Sequence, residues 1–261
     1  MLAGMRSTIS SASVAYKRSG GFTGCMYNAA MSYFEYTDEA TDYLKSRDPQ
    51  LARAIDAVGH VYREMDADLF SAVVHHIIGQ QISTAAQQTV WLRMRELLGE
   101  VSAQSITAAS PEQLQSCGIS FRKVDYIQDF AKKVMNGSFD LDAIEHISDA
   151  EAIAVLSSLR GIGTWTAEML LLFCLGRPDV LSFDDLAIQR GLRMVYHHRK
   201  ITQPLFEKYR RRYSPYGSVA SLYLWAISSM TIPGYNRDYA PLTDAQRKAV
   251  HKARKRPNAS M

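Results

Sequence analysis

The sequence predicts an all-α fold, and three observations carry that prediction. From about Thr37 onward apolar side chains recur at helical spacing, with no period-two alternation long enough for a strand. Ser110-Pro111-Glu112-Gln113 and Ser148-Asp149-Ala150-Glu151 read as helix starts, because a serine hydroxyl accepts the third backbone N–H while the glutamine or glutamate reaches back. Gly99 and Gly137 follow apolar runs as C-terminal glycines do and mark stops. In order, helices are expected near 38–46, 49–64, 67–78, 83–98, 111–116, 121–135, 149–159, 164–175, 185–196, 204–212, 217–230 and 242–254.

Composition narrows the class. With 47% hydrophobic and 21% charged side chains among 261 residues, the chain has enough apolar mass for a full core, yet no run approaches the roughly 18 apolar residues that cross a bilayer. Cys25, Cys117 and Cys174 are scattered and odd in number, which suits a reducing compartment and excludes a disulfide framework or a close metal-ligand set. Cys174 reads as a small buried hydrophobe. Net charge is +4, but Arg247, Lys248, Lys252, Arg254, Lys255 and Arg256 supply six bases without an acid, so the rest is near neutral. That basic tail either dwells on a polyanion or is a solvated end.

Residues 1–34 form a separate extension, Ser-, Gly- and Ala-rich at first, with no acid before Glu35. It should be disordered, either as a transit peptide or as sequence upstream of a later start at Met26 or Met31. Residues 35–240 form the helical domain, and 241–261 the basic tail.

The stretch Leu159-Arg160-Gly161-Ile162-Gly163-Thr164-Trp165-Thr166-Ala167 is the most informative. A helix runs into Gly-Ile-Gly and a strongly apolar helix follows. Gly161 and Gly163 permit a tight hairpin, Ile162 pegs it to the core, and backbone N–H groups through Thr164 and Thr166 can point at a phosphate. Alone, Gly-x-Gly at a helix junction is better read as a structural turn. Downstream, Ser182-Phe183-Asp184-Asp185-Leu186 places two carboxylates at a helix start.

Together these segments resemble the helix-hairpin-helix DNA glycosylases, and within them the alkylation-repair branch, the 3-methyladenine DNA glycosylase II family. The resemblance extends to Ile77-Ile78-Gly79-Gln80-Gln81-Ile82-Ser83, to residues 118–127 and to residues 213–225, and covers about 36–230. It implies a two-lobed all-α fold with the active site in the interlobe cleft. By that resemblance one lobe should be about 67–180 and the other about 35–66 plus 185–240, and the N-terminal sheet domain of longer relatives is expected to be absent.

The resemblance also assigns residues. The catalytic aspartate falls on Asp185, with Asp184 as the alternative carrier or the cap of the following helix. A carboxylate suits the reaction, because breaking an N-glycosidic bond builds positive charge on the sugar. Strand-nicking relatives have a lysine where this chain has Trp165, so a monofunctional enzyme using water is implied. No cofactor is implied, and three cysteines cannot hold an iron–sulfur cluster. Trp165, Trp225 and Tyr216 would stack on a flipped, electron-poor purine, although tryptophans at helical spacing also serve as core. Each good face is worth about 1–2 kcal/mol.

Gln81, or its neighbour Gln80, stands where the family inserts a wedge into the duplex; the plainer role for either amide is to cap or bridge helices. Arg122, Lys123, Arg210, Arg211 and Arg212 could contact phosphate or simply be solvated, and Gly217 replaces an arginine of some relatives. His75 and His76 read as packing or surface residues. The partner implied is duplex DNA with damaged bases, bound by a monomer with no membrane contact, in bacterial cytoplasm or a eukaryotic nucleus, with organelle targeting as the alternative. The lesions implied are 3-methyladenine and 7-methylguanine, with hypoxanthine or ethenoadenine as further candidates. Competing readings are a non-catalytic DNA-binding module and a bifunctional glycosylase/lyase for oxidised bases.

Overall fold

The structure, a computed structural model, describes residues 32–66 and 68–241; the expectations for the N-terminal extension, the helix at 242–254 and the basic tail lie outside the described residues. Among the described residues are thirteen α-helices: α1 Asp38–Arg47, α2 Pro49–Val58, α3 Leu69–Gly79, α4 Thr84–Leu98, α5 Ala103–Ala108, α6 Pro111–Ser116, α7 Phe121–Met135, α8 Leu141–His146, α9 Asp149–Ser157, α10 Thr164–Phe173, α11 Leu186–Tyr196, α12 Gln203–Tyr213 and α13 Gly217–Ser228. No strand longer than an isolated bridge, Tyr33 to Glu64, occurs among them. None of these helices is long and apolar enough to cross a membrane.

Both expected capping boxes form. Ser110 N–H donates to Gln113 Oε1 at 2.8 Å and Ser148 N–H to Glu151 Oε2 at 3.0 Å, while each serine hydroxyl accepts the third N–H of its helix. The expected helix over 49–64 is corrected at its end. It stops at Val58 because Gly59 takes φ +74°, and residues 60–66 then run extended, antiparallel to 32–34. Helices α5 and α8 were not expected. Each is six residues, too short to show periodicity, and each rests on its cap: Ser102 with Ser105 in a capping box, and Asp140 accepting from Asp142 and Ala143.

The principal helix packings fall into two separate sets. One set is α3 to α10, centred on the buried faces of α3, α7 and α10; the other is α1, α2 and α11 to α13. Within the second set the α11–α13 contact is closest. A Cβ on Gly191 would lie 2.4 Å from the Leu224 carbonyl oxygen, so the two backbones touch where any larger residue would part them. The chain passes between the sets along residues 60–66, tied to the end of α10 by Asp66 N–H to Phe173 O at 2.7 Å, and again along 174–185. Both crossings bear on the site.

Candidate active site

A cavity of about 1020 Å³ lies where the two sets meet. Its walls follow from helical spacing. Trp165, Met169 and Phe173 are four apart on α10, Leu222, Trp225 and Ala226 share one face of α13, and the extended segment 61–66 closes one side. Asp185 lines the same cavity. Trp225 is half-buried and inclined against Phe173 (centroids 5.4 Å, 30°), whereas Trp165 remains 41% exposed, leaving indole surface available to a planar guest.

Asp185 is the N-cap of α11. Its Oδ1 accepts from Ala187 N–H and Ile188 N–H, both at 2.8 Å, and its Oδ2 accepts from Trp165 Nε1–H at 3.0 Å. A cap alone needs only the first oxygen. The second is held at the cavity by the indole of the other helix set, and a carboxylate with roughly four acceptor positions retains capacity for a guest. At 7% exposure the group is shielded from bulk water, where its field would be weakened. Asp184 is exposed and is neither a cavity residue nor the cap, so the expectation that it caps α11 is corrected: the cap is Asp185 itself.

The segment leading to Asp185 is fixed from both sides. Asp179 accepts from Gly217 N–H (3.0 Å) and Ser214 Oγ–H (2.6 Å), Ser218 Oγ accepts from Val180 N–H (2.9 Å), and Ser221 donates to Val180 O (2.9 Å). From α10, Glu168 accepts the hydroxyl proton of fully buried Ser182. Burial, with smaller help from the charges of Asp184 and Asp185, raises the Glu168 carboxyl above the usual range. Gly217 is itself buried against Asp179, which leaves no room for a side chain there.

The hairpin between α9 and α10 contains Gly161, Ile162 and Gly163. Ile162 is buried, as expected of the peg. Gly161 has φ +87°, and a Cβ there would meet the Tyr126 ring at 2.6 Å, so this glycine is required twice over. Gly163, the N-cap of α10, lies in open space and offers no side-chain cap, which leaves the first N–H groups of the helix unsatisfied by side chains. Thr164 is exposed, but Thr166 is buried at 9%, so only its main chain is available for a phosphate contact. We expect Gly161→Ala to lower stability by about 2 kcal/mol through strain and overpacking and to weaken duplex binding as the hairpin shifts, measured by urea unfolding and fluorescence anisotropy.

The turn after α3 meets this hairpin. Gln80 Nε2 donates to the Gly161 carbonyl, so Gln80 bridges the two turns and is not free to act as a wedge. Gln81 is exposed, with φ +58°, a left-handed backbone uncommon for a residue with a side chain. Lys123 donates to Ile78 O and Gln80 O, both at 2.7 Å. It caps the end of α3, and burial depresses its ammonium below the usual lysine range; its suggested phosphate contact is set aside. Arg122 is exposed.

Three more expectations need correction. Tyr216 is not a cavity residue: its ring packs edge-on against Tyr43 (5.2 Å) and its hydroxyl points to Glu39 (3.3 Å). Arg212 is paired with buried Asp48, which removes it from the candidate phosphate contacts; Arg210, 3.7 Å from Glu207 on its own helix, and Arg211, in a shallow basic groove with Arg47 and Lys208, fit either of the readings given for them. His75 and His76, taken for packing or surface residues, both line the cavity with Asp66. Two adjacent histidines inside the apolar run Leu69-Phe70-Ser71-Ala72-Val73-Val74-His75-His76-Ile77-Ile78 were the available signal.

Residues 74–215 match the HhH-GPD superfamily of base excision DNA repair proteins, a span of more than half the chain. DNA-3-methyladenine glycosylase 1 of Schizosaccharomyces pombe is 28% identical over 200 residues, covering 74% of this chain and 88% of that protein. The crystal structure of DNA-3-methyladenine glycosidase from Bacillus halodurans superposes with a TM-score of 0.71 at 28% identity, covering 85% of this chain and 100% of the other. The S. pombe 3-methyladenine DNA glycosylase, solved with abasic DNA, superposes with a TM-score of 0.65 at 27% identity over 74% of this chain and 98% of that one. With its hairpin, its helical core and this extent of match, the chain belongs to the HhH-GPD superfamily of base excision DNA repair proteins.

Proposed function

We propose that this protein is a monofunctional DNA glycosylase that turns an alkylated purine out of duplex DNA and hydrolyses its bond to deoxyribose. The observation that carries the proposal is the convergence of Asp185, Trp165 and Trp225 on one cavity beside an uncapped hairpin helix. The names of the S. pombe and B. halodurans relatives point to the same lesion class. The main-chain N–H groups from Gly163 to Thr166 hold a phosphate, and Gln81 enters the stack where the nucleotide leaves it. The extruded ring, cationic after alkylation at N3 or N7, stacks on the indoles, which attract a cation more than a neutral base.

The C1′–N9 bond then breaks, and its electron pair leaves with the purine, which departs neutral. Positive charge develops at C1′ and the ring oxygen and is met by the Asp185 carboxylate; a water adds at C1′ and loses a proton. No lysine is among the described residues lining the cavity, so no side-chain amine there is placed to form a Schiff base. The test follows base release from duplexes that each carry one lesion: 3-methyladenine, 7-methylguanine, hypoxanthine or ethenoadenine. The expected result is release of methylated purine, with strands cut only after alkali. Binding without release, or incision before alkali, would overturn the proposal.

A further inference from the structure

We propose that His76, supported by His75, reads the edge of the extruded base as a neutral imidazole and thereby favours a cationic ring. This rests on the reading that the cavity receives the base. Both histidines line the same cavity as Asp185, and no hydrogen bond to either ring occurs among the described residues. What hydrogen bonding there is holds their backbone: Gln87 Nε2 donates to His75 O at 2.9 Å. His75 also leans its ring on Trp91 (4.8 Å, 54°), so His76 has the freer imidazole. Half-buried and open to the cavity, these rings keep donors and acceptors available to a guest.

The charges around them set the preference. The extended segment presents Arg63, Glu64 and Asp66, α11 presents Asp185, and α4, α10 and α13 contribute only uncharged side chains to the cavity. Arg63 lies over the Phe173 ring at 4.7 Å. Three carboxylates against one guanidinium make the site attractive to a cation, provided the imidazoles add no charge of their own. Burial lowers both below the ordinary histidine range, outweighing the opposite pull of Asp66, so both are neutral at pH 7. A neutral imidazole can accept from an amino or ring N–H of the purine. Once protonated it can only donate, and it repels a cationic ring.

Single-turnover release of 7-methylguanine from a duplex, with wild type, His75→Gln, His76→Gln and His76→Ala between about pH 5 and pH 7.5, tests this. At the upper pH, His76→Ala should be slower by about tenfold and His76→Gln, which keeps a hydrogen-bonding group, by no more than about threefold. On acidification the wild-type rate should fall by about tenfold relative to that of His76→Gln, because glutamine does not titrate. His75→Gln should share part of that protection. A mere packing residue would not move the pH profile. An alanine variant with wild-type rates, or a glutamine variant with the full acid-side fall, would overturn the inference while leaving the glycosylase reading intact; a wild type that releases no base would sink both. If His76→Ala melts well below wild type, the profile of the glutamine variant decides.

Discussion

Replacing Asp185 by asparagine should slow base release by two to three orders of magnitude, about 3–4 kcal/mol in the barrier, while leaving the fold in place. The two carboxylate oxygens do different jobs. Asparagine is among the best N-caps, so its amide oxygen can still accept from Ala187 and Ile188 N–H and hold the start of α11. What disappears is the negative charge facing the cavity, together with the acceptor that Oδ2 now offers Trp165 Nε1–H. An alanine in its place would lose the cap as well and confuse stability with chemistry. Thermal melting of Asp185→Asn within about 2 °C of wild type, with release reduced as stated, is the expected pair of results. Wild-type release by the variant would remove the carboxylate from the mechanism.

Arg212→Leu should instead unfold the protein more easily without touching its grip on DNA. Asp48 is 2% exposed; its Oδ1 caps α2 through Gln50 and Leu51 N–H at 2.9 and 3.0 Å, and its Oδ2 accepts from Tyr196 Oη–H at 2.9 Å and from Arg212. Tyr196 in turn shares a 2.6 Å hydroxyl contact with Tyr213, so α2, α11 and α12 meet at this one anion. Removing the cation leaves a buried carboxylate with dipoles but no counter-charge, at a cost of about 3 kcal/mol, or a fall of roughly 10 °C in Tm for a chain of this size. Had Arg212 been a phosphate ligand, the salt dependence of duplex binding would weaken by nearly one counterion. That slope should stay unchanged, as measured by anisotropy across a salt series.

Local chemistry explains which parts of this molecule could be read from its residues. Ser110 and Ser148 announced their helices because a capping box is complete within four positions, and Gly161 announced the hairpin because few other residues sustain its backbone. Asp185 and the two tryptophans were reachable because their spacing and order repeat a known pattern. Tyr216 was misplaced for a complementary reason. It sits in the right motif, but its direction depends on Tyr43 and Glu39, more than 170 positions away in the chain. Lys123 and Arg212 looked like solvent-facing cations for the same reason, since the carbonyls of Ile78 and Gln80 and the carboxylate of Asp48 that hold them are invisible until the chain folds. His75 and His76 were legible only as an oddity in an apolar run. That they face the cavity follows from α3 packing on α10, a tertiary fact.

In this mechanism a damaged nucleotide leaves the duplex and lodges with its sugar at Asp185. Co-crystallisation of Asp185→Asn with a duplex carrying one 7-methylguanine examines this directly. The purine should lie between the faces of Trp165 and Trp225, with C1′ beside residue 185 and Gln81 in the vacated stack. A structure with the methylated base still paired in the helix and the cavity holding only solvent would contradict it.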